Sequence, residues 1–319
     1  MTKQTTTSQQ RGTLQLSDAG LETVLVFEQG WDLPCFAAFP LLDRPDGREA
    51  LLEYCRGFVD IADAQNMDLV LDTVTWRASP RWGAKLGYDA VELERINRDA
   101  VALVEEVRAG RPADAPKISI SGSVGPAADG YVALERMTVA EARAYHEPQI
   151  RTLADAGADM ATGLTMTYID EAVGLALAAK ATGIPVVVSF TLETDGALPS
   201  GQLLKDAIEA VDAATGRYPQ SYGINCAHPT HFAHRLTGDE SWCKRIGLLQ
   251  ANASQKSHQE LDDSPELDPG DPVELALDIA ALRDRLPGLA IVGGCCGTSH
   301  THIEQIAQAC VAAEGPATG

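Results

Sequence analysis

Basic residues are scarce in this chain. Twenty-five Lys and Arg face 45 Asp and Glu, for a formal net charge of -20. A field of that sign repels phosphate backbones and anionic lipid surfaces, which excludes nucleic acid and membrane surfaces as expected partners. No apolar run reaches the roughly 18 residues of a membrane span. Residues 1–11 are polar and lack an apolar leader segment, so no secretory signal is expected. Seven cysteines form an odd set with no regular framework, which excludes a disulfide scaffold and points to a reducing, cytoplasmic setting. There, clustered thiols more often serve metals or catalysis. The strand-like segments also lack two-residue alternation, so a sheet with one wet face is excluded.

What is present is an alternation of short apolar runs with helical periodicities. Strands are expected at Leu14–Leu16, Leu69–Leu71, Ile118–Ser121, Asp159–Leu164, Pro185–Phe190, Tyr222–Cys226, Ile246–Gln250 and Leu289–Val292. Between them lie helical patterns. In Arg48–Ala64, for example, Ala50, Leu51, Tyr54, Phe58 and Ile61 recur on one face. Thr138 is placed to cap a helix running to Ala156, and Pro272 opens another expected to reach Leu286. Eight strand–helix units predict an α/β fold, a single-domain (β/α)8 TIM barrel over residues 13–314. A disordered arm (1–12) and a short tail (315–319) flank it. An open doubly wound sheet is the alternative. The long acidic stretch Asn252–Pro272 reads as a solvated loop, or as a lid or subunit contact.

The most informative stretch is Gly293-Gly294-Cys295-Cys296-Gly297-Thr298, after the last strand and before a helix capped by Thr298 or Ser299. Flanking glycines let the backbone turn and approach a ligand. Neighbouring cysteines rarely bridge to each other, and two thiols at a strand tip suit a soft metal. Cys226, at the tip of the sixth strand, supplies a third. Three protein ligands and one open position are the catalytic pattern for zinc. His228, His231, His234, His258, His300 and His302 are candidates for a fourth ligand. Three thiolates make zinc a weak Lewis acid towards carbonyls but a good seat for a substrate thiolate, since binding removes the thiol proton. The chemistry expected is S-alkylation, with no catalytic residue beyond the Zn2+ centre. In a barrel, the other functional groups collect at strand tips. These are Asp18, Asp72 to Arg77, Ser123, Leu164 to Thr167, Glu193, Asn225 and Asn252 to Ser254.

These residues resemble the homocysteine S-methyltransferase family, zinc-dependent barrels that include betaine–homocysteine methyltransferase and the homocysteine half of cobalamin-dependent methionine synthase. The likeness spans Leu14 to Ala313. It rests on the Gly-Gly-Cys-Cys-Gly-Thr run, Ile224-Asn225-Cys226, Asp18-Ala19-Gly20-Leu21-Glu22-Thr23, Gly122-Ser123-Val124-Gly125-Pro126, and Ser189-Phe190-Thr191 followed by Asp195-Gly196. It implies zinc on Cys226, Cys295 and Cys296, with homocysteine as the thiol acceptor and Asp18 beside its ammonium group. The partners implied are therefore a small thiol and a small methyl donor: S-adenosylmethionine, S-methylmethionine or a betaine-like compound. At this length there is no room for cobalamin or folate modules. A homo-oligomer is compatible with all of this.

Two positions depart from the family pattern. Ala19 replaces a glycine. Leu164 stands where the fourth strand usually ends in a glutamate that helps hold the substrate amine. Thr165 offers a neutral hydrogen bond in its place, and Glu193 on strand five is a substitute carboxylate. Trp76 is placed to face a sulfonium or quaternary ammonium, and Arg77 to bind a carboxylate. With Asn225, these make up the expected substrate-binding set. The Leu164 departure motivates a second reading, the same thiolate chemistry on another acceptor or in a degradative demethylation. A third is a non-catalytic zinc or redox protein, for which a Cys295–Cys296 disulfide is expected.

Overall fold

The computed structural model describes residues 14–264 and 266–314; the expected arm and tail lie outside them. Eight parallel strands close into a barrel in sequence order. They are β1 (Gln15–Ser17), β2 (Leu69–Asp72), β3 (Ile118–Val124), β4 (Met160–Met166), β5 (Val186–Phe190), β6 (Ser221–Asn225), β7 (Ile246–Ala251) and β8 (Ile291–Gly294). The seam pairs Gln15 with Ile291 and Leu16 with Val292. The covering helices are α1 (Pro45–Gln65), α2 (Ala90–Arg108), α3 (Val139–Ala156), α4 (Ile169–Thr182), α5 (Leu204–Thr215), the short α6 (Pro229–Phe232), α7 (Pro272–Leu282) and α8 (His300–Glu314).

Local chemistry starts and stops these elements where the sequence indicates. Thr138 caps α3 through a reciprocal pair with Glu141, and Asp89 caps α2 with Glu92 in the same way. Gly157, in the left-handed region, closes α3. The strands are buried on both faces, as in β5 and β7, where every residue is buried. Their outer side chains meet the helices in one large apolar cluster. Inside the barrel, Val70, Val187, Leu248 and Ile291 form a second cluster, and Met160 and Leu164 pack on it.

Several features differ from the sequence expectation. β3 runs to Val124 and β4 to Met166, because neighbouring strands continue to supply hydrogen-bond partners. α6 ends at Phe232 and gives way to a 3-10 turn, Ala233–Arg235. α7 stops at Leu282 rather than Leu286. A helical segment after β1, including a π-helical stretch Val24–Glu28, carries Glu22. The acidic stretch after β7 contains a capped helix, His258–Asp262, and several of its residues line the cavity described next.

Candidate functional site

A cavity of about 470 Å³ opens at the C-terminal ends of the strands. The Cys295-Cys296 loop is stitched to the tip of β1. Gly294 N–H donates to the Asp18 carbonyl (2.9 Å), Gly20 N–H to Thr298 Oγ1 (3.2 Å), and Gly297 N–H to Thr23 Oγ1 (3.2 Å). A side chain at Gly293 would overlap Ser17 Oγ, and one at Gly294 would overlap Thr298 Oγ1. The glycines before the cysteines are therefore required for close approach, of β8 to β1 at Gly293 and of the following loop onto β8 at Gly294, not for a positive φ.

The three sulfurs expected to converge do so. Cys226, Cys295 and Cys296 Sγ all lie within 4.8 Å of one another. Cys226 and Cys295 meet sulfur to sulfur, paired as a disulfide between β6 and β8. Cys296 Sγ stands 3.7 Å from Cys226 Sγ. The redox alternative anticipated a bond within the vicinal pair; the contact instead runs between strands, because Cys295 and Cys226 face each other across the mouth. Burial pushes the Cys296 thiol up to about 11, while a hydrogen bond from Tyr131 acts in the opposite sense. A soft ion suits such a donor set: three sulfurs from two strand tips, close enough to share one centre.

Asn225 holds this arrangement. Its Oδ1 accepts from Thr165 N–H (2.9 Å) and Ser189 Oγ (2.7 Å), and its Nδ2 donates to Thr165 Oγ1 (2.9 Å) and reaches Cys295 Sγ (3.9 Å). Thr165 has φ 61° and Cys226 φ 52°. A β-branched residue in that region is strained and persists only when its surroundings impose it. The Asn225 carboxamide does so for Thr165. Both residues line the cavity, but the polar groups of Asn225 are already engaged in positioning its neighbours.

The other side of the cavity is acidic. Asp18 is 4% exposed. Burial holds its carboxyl well above the ordinary range, and the nearby Asp72 adds to this. Burial raises Asp72 too, against hydrogen bonds from Ser121 and Gln250. Gln250 Nε2 donates to Asp72 Oδ2 (3.0 Å) and Ser17 Oγ (3.1 Å), tying β7, β2 and β1 together across the mouth. Glu22 is pushed up to about 7 by burial, with Asp72 adding and Arg77 opposing. Glu22 and Asp72 were not among the expected substrate residues. Asp72 carried only its place at a strand tip and Glu22 only its place in a family motif, and the chain is full of acids.

Leu164 lines the floor as an apolar surface. Glu193 does not take up the missing carboxylate's place. It is absent from the cavity lining and turns to His258 Nδ1 at 3.3 Å. His258 Nε2 donates to the Cys226 carbonyl (2.7 Å), and its ring stacks on Tyr131 with centroids 4.1 Å apart. Tyr131 in turn donates its O–H to Cys296 Sγ at 3.3 Å. Tyr131 is a third residue that was not expected at the site, since no motif or periodicity marks it. Other histidines considered as fourth ligands are engaged elsewhere: His231, His300 and His302 contact the carbonyls of Gln255, Tyr54 and Pro269. Trp76 and Arg77 both line the cavity. The Arg77 guanidinium lies over the Trp76 ring, 4.4 Å from its centroid, so a cation of the protein itself already occupies that indole.

Comparison with known proteins gives a family and a fold. A family model described as homocysteine S-methyltransferase matches residues 15–310. The homocysteine S-methyltransferase of Escherichia coli K12 is 30% identical over 206 residues, 60% of this chain and 62% of that protein. The methionine synthase of Mycobacterium leprae is 31% identical over 134 residues, 40% of this chain but 10% of that protein. The chain thus spans less than two thirds of the length of these relatives. Among solved structures, the homocysteine methyltransferase MmuM from Escherichia coli in its oxidized form superposes with a TM-score of 0.67 at 23% identity, covering 92% of this chain and 94% of that one. Its metallated form gives 0.66 at 21%, covering 94% and 96%. These two likenesses are of fold. The family model spans the barrel from its first strand into its last helix, and on that match the chain belongs to the homocysteine S-methyltransferase family.

Proposed function

We propose that the protein is a zinc-dependent S-methyltransferase that moves a methyl group from a small donor to the thiolate of homocysteine, giving methionine. The donor is of the S-adenosylmethionine, S-methylmethionine or betaine-like class. The observation that carries this reading is the convergence of Cys226, Cys295 and Cys296 within 4.8 Å at the floor of an acid-lined cavity. In their reduced state these three residues would hold the ion. When bound there, zinc supplies a site at which a substrate thiol is deprotonated at neutral pH.

The chain's own residues bind and orient. Asp18 and Asp72 are carboxyls that burial holds above their usual range, and Asp72 adds to the effect at Asp18. An arriving ammonium or sulfonium would reverse that balance and favour their ionised forms. They are therefore poised for cationic substrate groups. Asn225 fixes Thr165 and the tip of β6, so that the sulfurs and the wall of β4 keep one relative position. Tyr131 holds Cys296 from the opposite side. Such pre-set positions are what alignment for in-line displacement requires.

Leu164 favours a second reading. An apolar floor packed on Val70, Val187, Leu248 and Ile291 cannot pair with an ammonium group, and a thiol acceptor lacking an amine fits it as well as homocysteine does. Reduced protein reconstituted with zinc tests both. One metal per chain, lost in Cys296→Ser, with methionine formed from homocysteine and proton release on binding it, supports the first reading. Faster turnover of an amine-free thiol acid selects the second. Full turnover in metal-free protein sinks both.

A further inference from the structure

The cavity lining includes the guanidinium of Arg77. Arg77 lies just beyond β2, and its guanidinium carbon is 3.6 Å from the ring centroid of Trp82 and 4.4 Å from that of Trp76. Trp82 is itself fixed, its Nε1–H donating to the Pro126 carbonyl at 3.2 Å. Trp76 has room because Gly125 and Gly130 carry no side chains: a Cβ at Gly125 would stand 2.7 Å from Trp76 Nε1, and one at Gly130 would stand 3.3 Å from Trp76 Cζ2. Between the indoles, Arg77 Nε and Nη1 are buried with no hydrogen-bond partner, and so is Trp76 Nε1. Among the described residues Arg77 forms no salt bridge; Glu22 and Asp129 act on it only through space. Buried donors are nearly always paired in folded proteins, and these three unpaired ones belong to two residues of the cavity lining, where a ligand reaching them would complete the site. A guanidinium is charged at any working pH, and its planar fork matches a carboxylate in two parallel hydrogen bonds.

We propose that Arg77, stacked on Trp76 and Trp82, receives the carboxylate of a small zwitterionic substrate whose cationic group is taken by the neighbouring acids Asp18 and Asp72. The inference deepens the methyltransferase reading and rests on it. It gives this side of the cavity two kinds of anchor, Asp18 and Asp72 for the cation and Arg77 with Trp76 Nε1 for the anion. It also explains how a site with Leu164 in place of a carboxylate still orients its ligand, since Arg77 would hold the carboxylate that an α-amino acid carries on the same carbon as its ammonium group. The thiol acceptor and the methyl donor both belong to this chemical class, and separate kinetic arms distinguish them.

The test uses the zinc-loaded full chain with Arg77→Gln and Arg77→Lys. KM is measured for homocysteine and, independently, for each active donor. The substrate whose carboxylate Arg77 holds should show a KM raised about 10- to 100-fold with kcat changed far less, as expected for a lost charge-assisted pair that binds ground and transition states alike. Arg77→Lys should recover part of the loss. The preference of the wild type for homocysteine over 3-aminopropane-1-thiol, which lacks the carboxylate, should collapse if the acceptor is the partner; if the donor is, donor KM alone should move. A change in indole emission on adding the carboxylate-bearing ligand, absent with the carboxylate-free one, provides a readout without turnover and serves even where Arg77→Gln does not fold. Unchanged KM for both substrates in Arg77→Lys, or equal emission changes with both ligands, overturns the assignment. A wild type that methylates no thiol from any donor would instead sink the methyltransferase reading, while the carboxylate-dependent emission change would still stand or fall by itself.

Discussion

The two sides of the cavity are built on opposite principles. On the β6–β8 side, polar atoms around the sulfurs are tied together: Asn225 serves Thr165, Ser189 and Cys295, and Tyr131 serves Cys296. On the β1–β2 side, charges are left unbalanced. Three acids are pushed towards their neutral forms, and a guanidinium is stacked with two donors unused. One side is finished and rigid, as a metal centre requires. The other is completed only by what enters it. A site that has to bind a charged molecule and release it cannot satisfy its own charges in advance.

Breaking the finished side should cost most. Cys226→Ser or Cys296→Ser should abolish zinc retention and bring methyl transfer to background, read by metal analysis and a methionine assay; full metal content in either variant would remove those residues from the centre. Next in size is Gly293→Ala, whose methyl would overlap Ser17 Oγ and crowd the Asp18 carbonyl. Overpacking of this kind typically costs about 1–3 kcal/mol, and a denaturant midpoint no lower than wild type would contradict the close approach of β8 to β1. Asn225→Ala should follow closely, since it strands Thr165 N–H and Ser189 Oγ in a buried site at about 1–3 kcal/mol. It should also lower kcat with zinc content retained. If turnover survives while stability drops, Asn225 is only a brace.

The smallest effect probes the unfinished side. Glu22 sits at about 7 in the folded chain against an ordinary 4.5. Between those values the folded, ligand-free protein holds a proton that the unfolded chain has lost, so this group makes stability fall as pH rises from about 4.5 to about 7. Glu22→Gln should flatten that slope. Urea midpoints across the range decide it: an identical slope in the variant would mean that Glu22 is better solvated than its surroundings indicate.

The sequence showed the finished side far better than the other, for a physical reason. Cysteines set between glycines at a strand tip have few other uses, and alternating strand and helix periods leave few folds to choose from. Acids carry no such mark in a chain with 45 of them, so Asp72, though placed at a strand tip, and Glu22, though part of a family motif, were not assigned to the substrate. Tyr131 lies in a loop without periodicity, and its role depends on a stacked His258 far away in the chain. The turn at Thr165 runs against every local preference of a β-branched residue. It is set by Asn225, 60 positions on, and no local pattern reports it. Glu193 was expected in the cavity because strand tips usually face it; a histidine within hydrogen-bonding reach claimed it instead.

The barrel's seam has a consequence for how the protein is made. Its opening strand finds one of its two neighbours only in the closing one, and two of the three sulfurs ride on that final segment. A chain still emerging from the ribosome therefore has no metal-binding pocket, only a solitary thiol at position 226 and two raw sheet edges. On the reading proposed above, an ion would be loaded only once β8 has closed the barrel, and truncation before β8 would leave the sheet open and remove two of the three sulfurs.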